Sequence, residues 1–575
     1  MPKENPFLKE IAHHLKTHTG LEEKEILPLI DQPPNPEMGD YTLPCFPLKE
    51  RLQKPPNLVA QELAQAFPTA ELIIKAKAEG GYLNFFVKHA ELARWILEKV
   101  HKEGNNYGHS TVGRGKTIVI DYSSPNIAKH LAVHHLRSAV IGNALFRLYK
   151  ARGYHCIGIN HLGDWGTQFG QLIVAYKKWG SEVAGSLPTK ALKEDPVDAL
   201  HGLYVKFHEE AKKDPSLEDQ ARQAFRELEA GDSEARRLWE HFKEVSLKEF
   251  NKIYRALGIK FDYYTGESFY NEMLNDTVER LKKAGLATMS EEALVVNLDQ
   301  YGMPPCLLKK KDEASLYATR DICAAEYRAT EFGFSKMLYV VGSEQRLHFK
   351  QVFKVLELMG YPWVKDCVHV DFGLIKFKEG KMSTRAGRVI LLEEVLKEAI
   401  ERVKEVIQEK NPNLPNKEEM ARQVGIGAVI FADLSSRRTR DVLFDWKEVL
   451  NFDGETGPYL QYTHARLCSV IRKYGRPVES AVDLSLLKEK DEYLLVRKLE
   501  SFPKSTVSAA ETCEPVVLCN YLIELASIFN RYYNHHRIIG KNEELTRARI
   551  LLADCTRQVL RNGLYLLGME TPEEM

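Results

Sequence analysis

The chain has 575 residues, 44% of them hydrophobic, so it can fill several cores, and typical domain sizes predict about three or four units. Its 80 basic and 80 acidic side chains cancel, which excludes a general positive field that would recruit nucleic acid or an anionic membrane. The first residues lack the apolar core of a signal peptide, and no apolar run reaches the roughly 18 residues of a membrane span. We therefore expect a cytoplasmic protein with no membrane partner.

Nine cysteines are scattered from Cys45 to Cys555 without a CxxC pair. This pattern disfavours a disulfide framework and a structural zinc site, and it predicts reduced thiols and no protein-bound metal.

Proline-rich and charged segments at 31–38, 113–115, 186–196 and 409–419 interrupt the chain. They predict an N-terminal module, a large middle region and a helical tail.

The middle region begins with a predicted strand at 116–122, a helix whose apolar residues repeat from Leu136 to Leu148 and stop near Gly153, and a strand at 156–160. Strand, helix and strand form one parallel crossover unit, and ligands bind at the carboxyl ends of such strands. The segments SSPN and NHLGDWG follow those ends.

Further strands are predicted at 338–342 and 369–377, with a helix at 348–360 between them. This order favours a doubly wound α/β core. From about residue 390 the pattern changes to long amphipathic helices.

The loop KEGKMSTRAG at 378–387 places Lys381, Ser383, Thr384 and Arg385 among glycines. A cation that reaches a leaving pyrophosphate in the transition state lowers the barrier, so such a loop suits a polyphosphate ligand. The alternative is a solvated basic turn.

Several ordered motifs carry a family resemblance. KMSTR looks like the KMSKS loop of class I aminoacyl-tRNA synthetases in its arginine form. The other matching segments are SSPNIAK (123–129), NHLGDWGTQFG (160–170), LYATRD (316–321), GSEQ (342–345) and GPYLQYTHAR (457–466). Over nearly its whole length the chain resembles the arginyl-tRNA synthetases.

The resemblance implies a doubly wound parallel-sheet (Rossmann-like) catalytic core, an N-terminal α+β additional domain and a C-terminal all-α anticodon-binding domain. The expected divisions are an additional domain at 1–110, a catalytic domain at 111–390 with insertions at about 182–262, a helical stem-contact connection at 391–450 and an anticodon-binding domain at 451–575.

The resemblance also implies the amino-acid pocket. Asp321 and Tyr317 are expected to contact the guanidinium with help from Gln345, and Asn126 to lie near the α-amino and carboxylate end. A planar guanidinium with five donors needs a carboxylate and neutral acceptors, which lysine cannot satisfy in the same way. Alternatively, Asp321 is a helix-dipole partner and Tyr317 a core aromatic residue.

The expected ATP-binding residues are Lys129, His134, His135, Gly163, Asp164, Lys381 and Met382, and the expected catalytic residues are His135, Lys381, Ser383 and Arg385. ATP would arrive with Mg²⁺ as a substrate complex, without a dedicated metal cage. Asp164 and the Trp165 region are interpreted mainly as pocket architecture, and His161 as a hydrogen-bonded structural residue.

One departure falls in the HxGH signature, which aligns with residues 132–135. Its second histidine is His135, but Ala132 replaces the first histidine and His134 replaces the glycine. We hypothesise that His130, Lys129 or His134 supplies the missing phosphate donor from the N-terminal end of the same helix.

The implied partners are tRNA(Arg), arginine and ATP, with tRNA needed before arginine is activated, and the chain is expected to be a monomer. Cationic clusters at 437–440, 464–476 and 529–541, the last two with aromatic residues and histidines among the cations, suit RNA, although solvated helix faces explain them too. Two rival interpretations are a synthetase for another amino acid, such as a cysteinyl or glutamyl enzyme, and a catalytically silent paralogue that binds arginine or tRNA.

Overall fold

The computed structural model describes residues 5–68, 70–186, 196–290, 293–309, 317–377 and 390–575. Two compact units divide the chain. The first comprises Met1–Tyr107, Leu467–Pro503 and Leu525–Val559, and the second Gly108–Arg466, Lys504–Glu524 and Leu560–Met575. Over the described ranges, no helix is both long enough and apolar enough to cross a membrane.

The N-terminal module combines helices with a three-stranded antiparallel sheet of order β1-β3-β2. Its elements are α1 (Pro6–Thr19), α2 (Glu23–Ile26), β1 (Tyr41–Pro44), α3 (Lys49–Leu52), α4 (Pro56–Ala66), β2 (Ile73–Glu79), β3 (Tyr82–Val87) and α5 (His89–Glu103). The Asn5 side chain caps α1 by accepting from the amides of Phe7 and Leu8, and Gly20 ends the helix in the left-handed region at φ 64°.

The second unit contains a four-stranded parallel sheet of order β10-β9-β4-β5. The elements of this region are β4 (Thr117–Asp121), α6 (His134–Ala151), β5 (His155–Ile159), α7 (Thr167–Ser186), α8 (Pro196–Ala211), α9 (Ser216–Glu229), α10 (Ser233–Ala256), α11 (Leu274–Lys283), β6 (Ala287–Ser290), β7 (Ala293–Val296), β8 (Cys306–Lys309), α12 (Tyr317–Phe332), β9 (Lys336–Tyr339), α13 (Arg346–Leu358) and β10 (Cys367–His369). The chain runs from β4 to β5 at one edge and then returns to β9 and β10 on the other side of β4. This order confirms the doubly wound prediction.

Sequence pattern explains the first crossover. Strand β4 is a continuous apolar run buried through Ile118, Val119 and Ile120, as expected for a strand covered on both faces. The predicted apolar stripe of α6 is buried from Leu136 to Leu148. Gly153, in the left-handed region at φ 82°, follows the end of α6 as predicted.

The prediction of one strand over 369–377 is wrong. The segment is extended only at its two ends, in β10 and in β11 (Ile375–Phe377), and β11 pairs in parallel with β12 (Val442–Phe444) in a separate two-stranded sheet. Between them, the Asp371 carboxylate accepts from Arg438 at 2.5 Å and the Gly373 amide donates to the Arg438 carbonyl at 2.9 Å. These bonds turn the chain away from the central sheet.

The remaining chain is largely helical, as predicted. Its helices are α14 (Leu392–Lys410), α15 (Lys417–Leu434), α16 (Trp446–Val449), α17 (Gly457–Tyr474), α18 (Lys490–Glu511), α19 (Val516–His535) and α20 (Glu543–Leu566). Within the first unit, the Tyr107 hydroxyl donates to the Leu499 carbonyl of α18 at 2.9 Å.

Candidate active site

Three of the motifs follow the carboxyl ends of adjacent parallel strands. Residues 123–126 follow β4, residues 160–164 follow β5 and residues 342–345 follow β9. Parallel strands end at one edge of their sheet, and the crevice there is the usual ligand site of doubly wound folds.

The turn after β4 has an unusual backbone. Ser123 and Ser124 have φ values of 75° and 50°, a region that side chains other than glycine seldom occupy. The Ser123 amide donates to Ser138 Oγ at 2.8 Å, and Ser124 Oγ donates to Asp121 at 3.0 Å. Such strain persists only where neighbouring bonds enforce it, and it concentrates at functional sites.

This turn lies directly against the motif after β5. Asn126 and Gly163 form a parallel backbone bridge, and the Gly163 amide donates to the Pro125 carbonyl at 3.0 Å. A Cβ atom at position 163 would be 1.8 Å from Asn126 Oδ1. A side chain at 163 would therefore displace the exposed Asn126 side chain from this position.

The two histidines of the altered HxGH signature begin α6, with ring centroids 4.0 Å apart. His135 Nδ1 lies 3.0 Å from the Ala132 amide nitrogen and 3.1 Å from the Ala132 carbonyl oxygen, so the Ala132 backbone orients the ring. Burial and the neighbouring His134 lower the pKa of His135 to about 3, so the ring is neutral at working pH. Burial also lowers the pKa of His134, against an opposing effect of Glu344.

Lys129 and His130 are directed toward α8. Lys129 Nζ lies 5.5 Å from the centre of the Tyr204 ring, and His130 Nε2 lies 3.9 Å from an Asp198 oxygen. Of the three candidate compensating residues, His134 is the one beside His135.

Asp164 is fully buried and its carboxylate already has protein partners. Lys243 Nζ donates to it at 2.7 Å and Ser268 Oγ at 2.8 Å, while Trp239 donates to the Asp164 carbonyl at 2.7 Å. These contacts fix the loop after β5 to α10, and they fit the interpretation of Asp164 as pocket architecture rather than as a direct ligand of ATP.

Asp321, on the second turn of α12, accepts a hydrogen bond from His348 Nε2 at 2.5 Å. Burial raises the pKa of Asp321, but the His348 bond and nearby positive groups outweigh burial, and the net shift is downward. Tyr317, the first residue of α12, is 69% exposed, and Gln345 is exposed in the turn before α13. The exposure of Tyr317 does not support the alternative that it is a core aromatic residue.

Sequence reasoning missed Glu267. Burial is the main cause that raises its pKa to about 7, with Arg320 opposing and the Asp321 and Asp164 carboxylates adding to the rise. A carboxyl group with this pKa that interacts electrostatically with Asp321 is a second candidate acceptor for a guanidinium. No motif signals it, because Glu267 and Asp321 are far apart in sequence.

His348 and Arg328 were missed as well. Arg328 is buried and lies 2.8 Å from Asp121 Oδ2, and it donates to His161 Nδ1 at 3.3 Å. His161 is therefore hydrogen-bonded, as its interpretation as a structural residue expected. His348 follows Gln345 by three residues at the start of a predicted helix, which is the one signal that could have singled it out.

Four predicted site residues, Lys381, Met382, Ser383 and Arg385, lie outside the described residues. Among the residues that are described, no group of three or more His, Cys, Asp or Glu side chains could hold a metal ion.

One patch predicted to contact RNA is engaged within the protein. The Arg438 side chain donates to Asp371 at 2.5 Å, and its backbone amide donates to Glu514 at 3.2 Å. The interpretation of 437–440 as a phosphate-binding patch is weakened at this residue.

Comparison with known protein families identifies the domains to which these residues belong. Residues 97–446 match the model described as tRNA synthetases class I (R), catalytic domain. Residues 6–87 match the arginyl tRNA synthetase N terminal domain, and residues 460–575 match the DALR anticodon binding domain. The parallel sheet with its edge motifs is thus a class I synthetase catalytic domain.

Individual relatives agree. The chain is 49% identical to an arginine–tRNA ligase of Clostridium perfringens over 99% of this chain and 100% of that protein, and 48% identical to one of Clostridioides difficile over 96% and 97%. The solved arginyl-tRNA synthetase of Thermus thermophilus superposes with a TM-score of 0.81 at 27% identity, covering 99% of each chain. The chain belongs to the arginyl-tRNA synthetase family.

Proposed function

We propose that the crevice at the carboxyl edge of the β10-β9-β4-β5 sheet is the active site in which this chain, an ATP-dependent arginine–tRNA ligase, works. Arginine and ATP give arginyl-adenylate and pyrophosphate, and a ribose hydroxyl of the terminal adenosine of tRNA(Arg) then attacks the activated carbonyl. The observation that carries the proposal is Asp321, a carboxylate held in its charged form beside the exposed Tyr317.

Arginine would be recognised at both of its ends. Asp321 and Glu267 would accept from the guanidinium, with Tyr317 and Gln345 beside them, and Asn126 would contact the α-amino and carboxylate end. Two carboxyl groups around a planar fork of donors favour arginine over lysine, because an ammonium group cannot satisfy both acceptors in that geometry.

ATP would bind where α6 begins. His135, with its proton on Nε2, would donate to a phosphate oxygen, and His134 would supply the donor that Ala132 no longer offers. The backbone at Gly163 can approach the nucleotide closely because it carries no side chain. Lys129 remains a further phosphate candidate, and we assign Asp164 to holding the loop.

No protein base is needed in the first step, because the arginine carboxylate is already ionised and attacks the α-phosphate directly. Catalysis then rests on positioning and on stabilising the leaving pyrophosphate. We assign that stabilisation to Lys381, Ser383 and Arg385 together with His135, and we count Met382 among the ATP-binding residues. Magnesium would enter with ATP.

Binding of the tRNA is supported by a pocket of about 410 Å³ in the second unit, whose lining mixes apolar and charged side chains. Arg466 lies 4.8 Å from the ring centre of Tyr462, and Lys410 lies 6.0 Å from that of Phe452. Aromatic rings with adjacent cations suit a splayed-out base and its phosphate, so we propose that this pocket holds an unpaired base of the tRNA. We also expect a cytoplasmic monomer.

The experiment is arginine-dependent exchange of labelled pyrophosphate into ATP, with and without tRNA(Arg), using lysine as control. We expect exchange only with arginine and tRNA together, and its loss in Asp321→Asn. Tight arginine binding with no exchange under any condition would instead identify a silent paralogue. Normal exchange in Asp321→Asn would show that Asp321 does not contribute to arginine binding.

A further inference from the structure

His348 makes a direct contact with the proposed arginine-binding carboxylate. It is the third residue of α13, and its Nε2 lies 2.5 Å from Asp321 Oδ2 on α12. The two side chains are 20% and 24% exposed, so the bond is partly shielded but the carboxylate can still be reached from solvent.

The other groups around Asp321 have partners of their own. Arg328 lies 2.8 Å from Asp121 and donates to His161 Nδ1. Arg328 and His161 both lower the pKa of Asp321 through their charge. The Asp321 carboxylate in turn raises the pKa of Glu267. The orientation of the Asp321 carboxylate is therefore governed by the bond from His348.

An imidazole has a specific advantage in this position. A carboxylate offers about four lone-pair positions, and one N–H donor occupies one of them. Lysine or arginine at 348 would place a permanent cation beside the carboxylate and compete with the substrate cation. Removal of the donor would free the carboxylate to rotate and would leave it less stabilised in its charged form.

We infer that His348 is a positioning residue for arginine, which holds Oδ2 of Asp321 so that Oδ1 is presented to the guanidinium. The inference rests on the proposed role of Asp321. It goes beyond that role because it assigns substrate affinity to a side chain that need not touch the substrate.

The alternative is a purely structural tie between α12 and α13. Loss of such a tie would lower stability and affect kcat and every KM together. Loss of a positioning residue would raise the KM for arginine while kcat and the KM for ATP change little.

The experiment compares His348→Phe, which removes the donor, with His348→Gln, which restores an N–H at similar reach. The matched control is His369→Phe. His369 is also part-buried, its Nε2 donates to the Val341 carbonyl at 3.0 Å, and its ring stacks on Phe349 at 4.5 Å, but it does not bond to Asp321. All variants are full-length proteins assayed by pyrophosphate exchange with tRNA present, and their melting temperatures are measured in parallel.

We expect His348→Phe to raise the KM for arginine roughly tenfold or more, the effect of losing one hydrogen bond to a charged group. The KM for ATP should change by less than about threefold, and His348→Gln should recover most of the loss.

An unchanged arginine KM in His348→Phe would overturn the inference, as would a loss shared equally with His369→Phe. Asp321→Asn distinguishes a failure of the inference about His348 from a failure of the proposed arginine pocket. If it loses arginine while His348→Phe does not, only the inference fails; if neither variant affects arginine, the proposed pocket fails as well.

Discussion

Arg137 and Asp433 form a buried ion pair, with Arg137 Nε 2.7 Å from Asp433 Oδ1 and both side chains 1% exposed. Arg137 also donates to the Arg440 carbonyl at 2.8 Å. Arg137 lies on the first turn of α6, which also carries His134 and His135. The ion pair therefore anchors this turn to α15, the helix that carries Asp433. Burial raises the pKa of Asp433, and Arg137 opposes that rise.

Arg137→Met should destabilise the protein strongly, because it leaves Asp433 buried without its cation. The cost of removing one member of a buried pair is about 3–5 kcal/mol. Urea unfolding, followed at neutral pH, measures it. Without Arg137 the pKa of Asp433 rises further, so the folded state binds more protons than the unfolded state, and the stability of the variant should fall as pH rises above about 4.

The double variant Arg137→Met with Asp433→Leu is the control. An apolar pair of similar volume removes both charges, so it should be more stable than Arg137→Met alone. Equal stability of Arg137→Met and the unsubstituted chain would contradict this account of the pair.

Gly163→Ala should impair arginine activation. The new Cβ would meet Asn126 Oδ1 at 1.8 Å and displace a side chain proposed to hold the substrate. Displacement by about 1 Å can reduce the rate roughly a hundredfold, and pyrophosphate exchange would detect it.

Gly202→Ala is the matched glycine control. Position 202 lies inside α8, and nothing is found within 4 Å of an added Cβ. This variant should keep full activity and gain up to about 1 kcal/mol from helix propensity. Comparable losses of exchange in both variants would show that the effect is not due to Asn126.

The sequence pattern predicted the strands and helix around the site, but not the contacts between side chains within it. The β4, α6 and β5 crossover follows from strand and helix periodicity, and Asp321 from a short motif. Glu267 could not be predicted, because its relation to Asp321 depends on how distant segments fold together, and the only sequence signal for His348 is its place three residues after Gln345. Asp164 shows the same limit, since its partners Lys243 and Ser268 are 79 and 104 residues away.

Glu267 predicts a pH dependence of arginine binding. Its pKa of about 7 means that it is largely protonated at pH 6 and ionised at pH 8 in the free enzyme. A bound guanidinium favours the ionised form, so arginine binding should release a proton. The dissociation constant of arginine should therefore fall as pH rises, by up to roughly tenfold between pH 6 and 8.

Calorimetry in two buffers of different ionisation enthalpy measures both the affinity and the released proton. Glu267→Gln should bind more weakly at pH 8 and lose most of this pH dependence. The same proton release in the variant would assign the titration to another group, such as a nearby histidine.

His135 should act as an uncharged donor in adenylate formation. Its pKa is lowered to about 3, so the ring is neutral at working pH, and the proposed donation to phosphate requires the tautomer with the proton on Nε2. His135→Ala should reduce kcat for pyrophosphate exchange about a hundredfold to a thousandfold, the usual cost of one donor to transition-state charge. The pH profile of kcat should contain no ionisation of His135 between pH 5.5 and 8.5, because the folded pKa lies far below that window.

The neighbouring histidines test which residue replaces the missing donor of the signature. His134 lies beside His135, whereas His130 is directed toward Asp198. We therefore expect His134→Ala to lower pyrophosphate exchange by roughly tenfold or more and His130→Ala to leave it nearly unchanged, if one phosphate hydrogen bond is lost only in the first. The reverse ranking would move the compensating donor to His130, and no loss in either variant would mean that neither histidine replaces the donor that Ala132 lacks.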